Sequence, residues 1–253
     1  TPAEWMSEEN YVFKLSEYRD RLRAHIEANP GFIQPDFRAK EVLNLLETFP
    51  DVSVSRQSVK WGIPVPGDES QVIYVWIDAL SNYLTGIGYP DADSFKKYWP
   101  ANVHLIGKDI VKFHAIIWPA MLMALDLPLP EQVFGHGWVL MGGQKMGKST
   151  GNVTSPDALA DEYGADAIRY YLLREIAFGR DGEMNQEAFE NRVNADLANN
   201  LGNALNRTLT ILEKNFEGRV SPRHTAIEGE LPQKVADVLS RVEDRMSALA
   251  LDE

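Results

Sequence analysis

Gly142–Asn152 reads GGQKMGKSTGN, and its first eight residues fit the phosphate-loop pattern G-x-x-x-x-G-K-[ST], from Gly142 through Gly147 and Lys148 to Ser149. The residues after Ser149 decide whether the chain is a phosphate-loop hydrolase. A phosphate loop runs straight into a helix, whose N-terminal amides and dipole hold the phosphates. Here the next residues are Thr150, Gly151, Asn152, Val153 and Thr154, a run poor in helix formers. The next helix start is Ser155 as N-cap with Pro156 at the first helical position. The phosphate-loop reading therefore fails on its context. There remains a glycine-rich loop with two lysines, Lys145 and Lys148, in an interval free of acidic residues between Glu131 and Asp157. In an acidic chain, that predicts a loop that meets an anion.

Composition sets the outer limits. With 253 residues, 44% of them hydrophobic and 25% charged, the chain can bury a sizeable core in one large or two modest domains. A net charge of −12 argues against indiscriminate nucleic-acid binding, while a local basic patch can still meet the phosphates of ATP or tRNA. There is no cysteine, and His25, His104, His114, His136 and His224 are too scattered for a ligand set, so no protein-bound metal is expected. Neither a membrane-length apolar run nor a signal peptide is visible, which predicts a cytoplasmic protein with no membrane partner. The ends, Thr1-Pro2 and Leu251-Asp252-Glu253, read as cuts in a longer sequence.

Along the chain, a polar helix is expected from Glu8 to Asn29 with Tyr11, Leu15, Tyr18 and Leu22 on one face, and a second from Val42 to Phe49. The runs DVSVSR and WGIPVP alternate and turn like strand and loop. The short apolar runs VIYVWI from Val72, VHLIG from Val103 and WVLM from Trp138 alternate with helix-like stretches, the rhythm of a parallel α/β sheet. A helix from Asp109 to about Leu125 should bend at Trp118-Pro119. GKD, at a strand end leading into that helix, occupies the place where open α/β sheets bind ligands. Beyond Pro156 helices dominate: Asp157 to Tyr163 closed by Gly164, Asp166 to about Ile176, and a long one from Gln186 to about Phe216. Phe189, Val193, Leu197, Leu201, Leu205, Leu209, Leu212 and Phe216 form one apolar stripe on the long helix, read as the core of a helix bundle. A further helix starts near Leu231.

The motifs SVSRQSVKWGIPVP, YVWIDALSNY, GKDIVKFHAIIWPA, HGWVLMGGQKMGKSTGN and RVNADLANNLGNALNR, in that order, resemble the methionyl-tRNA synthetases, a family of class I aminoacyl-tRNA synthetases. The resemblance covers nearly the whole chain. In that family the lysine loop is usually K-M-S-K-S; Gly147 replaces its serine here, and the replacement creates the fit to the phosphate-loop pattern.

The resemblance implies an α/β fold: the second half of a class I Rossmann-type parallel-sheet catalytic domain followed by a truncated α-helical bundle domain. Residues 1–50 would end the connective insertion, 51–141 form the second half of the catalytic domain, 142–184 the lysine loop and stem-contact region, and 185–253 the start of the anticodon-binding bundle. The implied activity is ATP-dependent activation of methionine to methionyl adenylate and transfer to tRNA(Met), with Mg2+ entering alongside ATP as substrate. No H-I-G-H sequence is present, so the resemblance also implies a missing N-terminal half that supplies the phosphate-binding wall, a sheet with an unpaired edge, and a chain inactive by itself.

Residue by residue, the resemblance assigns Lys148 and Lys145 to the developing charge on pyrophosphate; the bland alternative is a pair of solvated surface lysines. Gly107, Asp109, His136 and Gly137 would face ATP, although Asp109 could equally be a plain helix cap. Trp76, Ala79, Leu80, Tyr83, Ile110, Phe113, His114 and Trp118 match methionine-pocket positions; without the resemblance the aromatics and His114 would read as core. The family commonly has proline where Leu80 stands. Asn203 and Arg207, one helical turn apart, match anticodon-contacting positions, the alternative being a surface pair. Three other readings remain beside the favoured one: a phosphate-loop hydrolase, against which the helix-breaking GNVTSP counts; a non-catalytic tRNA-binding module derived from a synthetase; and a synthetase for another amino acid, against which the aromatic pocket speaks.

Overall fold

The computed structural model describes residues 7–147, 151, 155–220 and 229–252. The chain divides into two units, Thr1–His136 and Gly137–Glu253. The first carries strands β1 (Val12–Phe13), β2 (Ile33–Gln34), β3 (Val52–Ser53), β4 (Ser55–Arg56), β5 (Pro64–Val65), β6 (Asp68–Ile73), β7 (Val103–Gly107) and β8 (Gln132–His136). Its helices are α1 (Arg19–Ala28), α2 (Asp36–Thr48), α3 (Val75–Thr85), α4 (Asp93–Tyr98) and α5 (Trp118–Ala124).

The parallel sheet runs in the order β2-β8-β7, so sequence neighbours are separated by crossovers packed with helices. Its middle strand β8 is buried on both faces, Val133 and Phe134 alike, as a covered parallel strand requires. Strand β7 lies at the edge of the described sheet and leaves Val103 and Leu105 exposed, while its alternate residues His104 and Ile106 point into the core. Leu15, Leu22 and Ile26 join Val42 and Leu46 of α2, Leu80 and Leu84 of α3 and much of α5 in one buried cluster. Each such aliphatic side chain contributes about 1.5–3 kcal/mol when fully buried.

Several expectations are corrected by the fold. The first helix begins at Arg19 rather than Glu8, because Val12 and Phe13 pair with β3 and the Tyr11 amide donates to Ser55 Oγ at 2.8 Å. The second starts earlier than expected, directly after Pro35. The run VIYVWI is not one strand: β6 ends at Ile73 and α3 starts at Val75, and β6 pairs antiparallel with β4 and β5 rather than joining the parallel sheet. An apolar run alone does not carry a period, whereas Trp76, Leu80, Tyr83 and Leu84 at helical spacing do. In place of the expected bend at Trp118-Pro119 there is a π-helical turn over Phe113–Ile117, immediately before Trp118. Proline has no amide to give to the preceding turn, and the wider turn accommodates it.

The second unit contains β9 (Val139–Met141), β10 (Gln144–Lys145), β11 (Gly182–Glu183), α6 (Pro156–Tyr163), α7 (Ala165–Glu175), α8 (Gln186–Arg192), α9 (Asn203–Phe216) and α10 (Leu231–Ser247). The WVLM run becomes β9, which pairs antiparallel with β10 and parallel with β11 in a sheet of its own, not with β7 and β8. Ser155 caps α6, accepting from the Ala158 amide with Pro156 inside the first turn, as the sequence predicts. A small core of Ile168, Tyr171, Met184 and Phe189 ties the residues on either side of position 185 together. The division between units thus falls at 136/137, and the segment starting at 185 shares a core with α7.

The long helix from Gln186 is continuous to Phe216, but residues Val193–Gly202 are π-helical. Among the described residues its stripe is core only at its start, where Phe189 is buried and Val193 packs against the same small core; Leu201, Leu205, Leu209 and Phe216 are more than half exposed, and so are Val235, Val238, Leu239, Val242 and Met246 of α10. Amphipathic spacing reports which face is apolar, not what covers it. Among the described residues, no helix is long and apolar enough to cross a membrane.

Candidate active site

In the first unit, helix α3, strand β7, the π turn and the start of α5 bring six aromatic or imidazole side chains together. Trp76 stacks on Phe113 with ring centroids 3.8 Å apart and planes 12° from parallel. Tyr83, two turns along α3, hydrogen bonds His114 Nε2 at 2.9 Å, while His114 Nδ1 lies 3.0 Å from the Ile110 carbonyl. A carbonyl only accepts, so His114 carries its proton on Nδ1 and takes the Tyr83 hydroxyl proton at Nε2. Behind this pair Tyr83 lies against His104, centroids 4.3 Å apart, and His104 Nε2 accepts the Trp118 indole N–H at 3.2 Å. Burial holds His114 below its ordinary pKa, with the Ile110 contact opposing, and burial raises Tyr83. The cluster is therefore kept uncharged, a setting suited to apolar contact.

Burial sorts the expected methionine residues into two layers. Trp76, Tyr83, Ile110 and Phe113 are half-buried and Ala79 is exposed, so these five can touch a ligand. Leu80, His114 and Trp118 are buried beneath them. The expected nucleotide residues gather at the carboxyl ends of β7 and β8: Gly107 is register partner to His136, and a Cβ on Gly107 would lie 2.8 Å from Asp109 Oδ1 and 3.9 Å from the His136 ring. Asp109 sits inside a short 3-10 turn, Lys108–Ile110, rather than capping a helix, and is exposed. Glycine at 107 leaves room for a ligand to approach between an acceptor carboxylate and an imidazole.

His104 is a residue that sequence reasoning passed over as one of several scattered histidines. Burial first, and then the neighbouring His114, push it down to about 4 from an ordinary 6.5. The depressed pKa means that the unfolded chain binds the proton more readily. The stabilisation is therefore full above pH 6.5 and is lost as pH falls towards 4, by about 3 kcal/mol in all. We expect His104→Gln to be less stable than the parent at pH 7, and urea unfolding to show the gap narrowing at pH 4.5. A gap unchanged with pH would contradict this assignment.

In the second unit, Gly142 and Gly143 form the tight turn of the β9–β10 hairpin at φ +61° and +74°. Both of their amides donate to the Glu183 carboxylate, and the Trp138 amide donates to Asp181 Oδ1 at 2.9 Å. Lys145 is exposed with Nζ 4.4 Å above the Trp138 ring. Lys148 lies outside the described residues. The first two amides of the loop are thus engaged by a side chain of this chain, and the next described helix begins after Ser155. Gly137 is buried, and any Cβ there would collide with the Arg180 carbonyl, which accounts for the glycine by packing alone. Asn203 and Arg207 are exposed and one turn apart at the start of α9. Among the described residues no group of three histidine or acidic side chains is placed to hold a metal.

Comparison with known proteins shows the family. The family described as tRNA synthetases class I (M) matches residues 1–209. The methionine–tRNA ligase of Caldanaerobacter subterraneus subsp. tengcongensis is 53% identical over 96% of this chain, and that of Halalkalibacterium halodurans 52% identical over 98%. The chain spans about 40% of the length of these relatives. Mycobacterium tuberculosis methionyl-tRNA synthetase, solved in complex with methionyl-adenylate, superposes with a TM-score of 0.91 at 46% identity, covering 100% of this chain and 50% of that one. With the family match covering most of its length, and the fold agreeing, this chain belongs to the methionyl group of the class I tRNA synthetases.

Proposed function

We propose that the chain supplies the methionine-binding and part of the ATP-binding surface of a methionine–tRNA ligase, and that an N-terminal half bearing an H-I-G-H sequence supplies the remaining phosphate wall. The observation that carries this reading is the uncharged aromatic cluster of Trp76, Tyr83, Phe113 and His114 in the same unit as the Gly107–Asp109–His136 strand ends. In this reading methionine places its thioether against Tyr83, Ile110 and the Trp76–Phe113 stack, with Ala79 at the rim and Leu80, His114 and Trp118 fixing the layer beneath. Adenosine lies at the strand ends: the Asp109 carboxylate accepts from ribose hydroxyls, and the backbone at His136 and Gly137 reads the base. Mg2+ enters with ATP and screens its phosphates.

Attack of the methionine carboxylate on the α-phosphate builds negative charge on the departing pyrophosphate. Lys148 and Lys145 meet that charge as it develops, so their effect falls on the rate more than on ground-state binding. The adenylate then gives its acyl group to the 3′-terminal adenosine of tRNA(Met), whose anticodon bases meet Asn203 and Arg207 by hydrogen bonding and stacking. A cytoplasmic setting fits this set of substrates. The test is ATP–pyrophosphate exchange by the chain alone and after mixing with the separately made N-terminal half. Exchange that appears only on mixing, and only with methionine, is expected. Binding of tRNA without any exchange would instead support a non-catalytic module, and phosphate release without methionine would support a hydrolase.

A further inference from the structure

We propose that Glu183 is a positioning residue for the lysine hairpin: its carboxylate holds the Gly142–Gly143 turn and thereby fixes the point from which Lys145 reaches the leaving group. Two successive left-handed residues turn their amides to the same side and make a concavity suited to an anion. Glu183 fills it. Its Oε1 accepts from Gly142, and Gly143 donates to Oε1 and Oε2 at 3.3 and 3.2 Å. Strand β11 carries Glu183 alongside β9 in parallel register, Glu183 opposite Leu140, so the carboxylate is delivered to the turn by backbone pairing rather than by a free loop. The hairpin is thereby clamped at its tip by Glu183 and at its base by the Asp181 contact to the Trp138 amide.

The consequence concerns reach. Lys145 is the second residue of β10 and two residues beyond Gly143. With the tip fixed, the Lys145 backbone is fixed. With the tip released, two glycines at the turn leave the hairpin a wide range of orientations, because glycine has the largest conformational freedom to lose. Positioning a charge by restraint of its backbone is an entropic contribution to the transition state, and it is felt in kcat.

This inference rests on the reading that the lysine loop serves adenylate formation, so the test has two arms. In the first, amide hydrogen exchange is followed in the 253-residue chain alone. Gly142 and Gly143 should be protected in the parent and lose that protection in Glu183→Ala, while Ile168 and Tyr171 in the neighbouring core keep theirs. In the second, pyrophosphate exchange by the reconstituted enzyme should show kcat reduced about tenfold or more in Glu183→Ala, the size expected for hydrogen bonds to a charged group. The KM for methionine should be unchanged. Glu183→Gln, which keeps an acceptor oxygen, should recover part of both readouts. Unchanged protection of the two glycines overturns the proposal, as does lost protection with unchanged kcat. If the unsubstituted enzyme showed no exchange at all, the functional reading would fall, and the hydrogen-exchange arm would still decide whether Glu183 holds the turn.

Discussion

Lys148→Ala should slow methionine-dependent pyrophosphate exchange about a hundredfold or more while leaving methionine affinity nearly unchanged. The charge of Lys148 matters when the α–β bridging oxygen departs with the electron pair, and loss of one such contact commonly costs about 3 kcal/mol of transition-state stabilisation. Lys145 acts beside Lys148 and does not replace it, its ammonium lying 4.4 Å above the Trp138 ring. Gly147 preserves both charges of the family's loop and removes only a hydroxyl. Steady-state exchange at saturating methionine separates the outcomes. An unchanged rate would remove Lys148 from the mechanism.

Trp76→Ala should raise the KM for methionine by about one to two orders of magnitude and leave ATP affinity largely intact. Trp76 is half of a stack with Phe113 and borders His114 edge-on at 6.4 Å, so its removal takes away one wall of the pocket and the partner that fixes the other. Truncation of a packed tryptophan costs about 3–5 kcal/mol. The expected effect is set below that range because Trp76 is only half-buried. Calorimetry on the reconstituted enzyme is decisive: methionine binding lost with ATP binding kept supports the assignment, and the reverse would refute it.

Much of the fold and the site was legible in the residues, for physical reasons that differ from place to place. The failure of the phosphate-loop reading was visible because Ser155-Pro156 is a strong local helix start and nothing just before it is. Strand β7 was visible as VHLIG, and its two-residue alternation could also have exposed His104: a polar residue in phase with buried Ile106 must find a partner, and Trp118 provides it. The strand-to-helix switch at Tyr74 was not visible, because both elements are apolar there and propensity does not separate them. Glu183 was out of reach too, since its partners lie some 40 residues earlier and only the pairing of β11 with β9 brings them together. The stripe on the long helix is core at Phe189 and Val193, as its pattern predicts, and exposed from Leu201 onward, where the pattern says nothing of what covers it. From Phe189 to Leu209 it advances by four residues at each step, which overshoots an α turn by ~40° each time.

If the Trp76–Phe113–Tyr83–His114 pocket and the Gly107–Asp109–His136 strand ends form one adenylate site, an unreactive adenylate analogue must span both. Methionyl sulfamoyl adenosine is such an analogue, and its position in the enzyme reconstituted from this chain and its N-terminal half can be determined crystallographically. The thioether is expected in contact with Tyr83 and the Trp76–Phe113 pair, the ribose hydroxyls on Asp109 and the adenine beside His136. An analogue bound with its thioether away from these aromatics, or with its ribose away from Asp109, would contradict a single site.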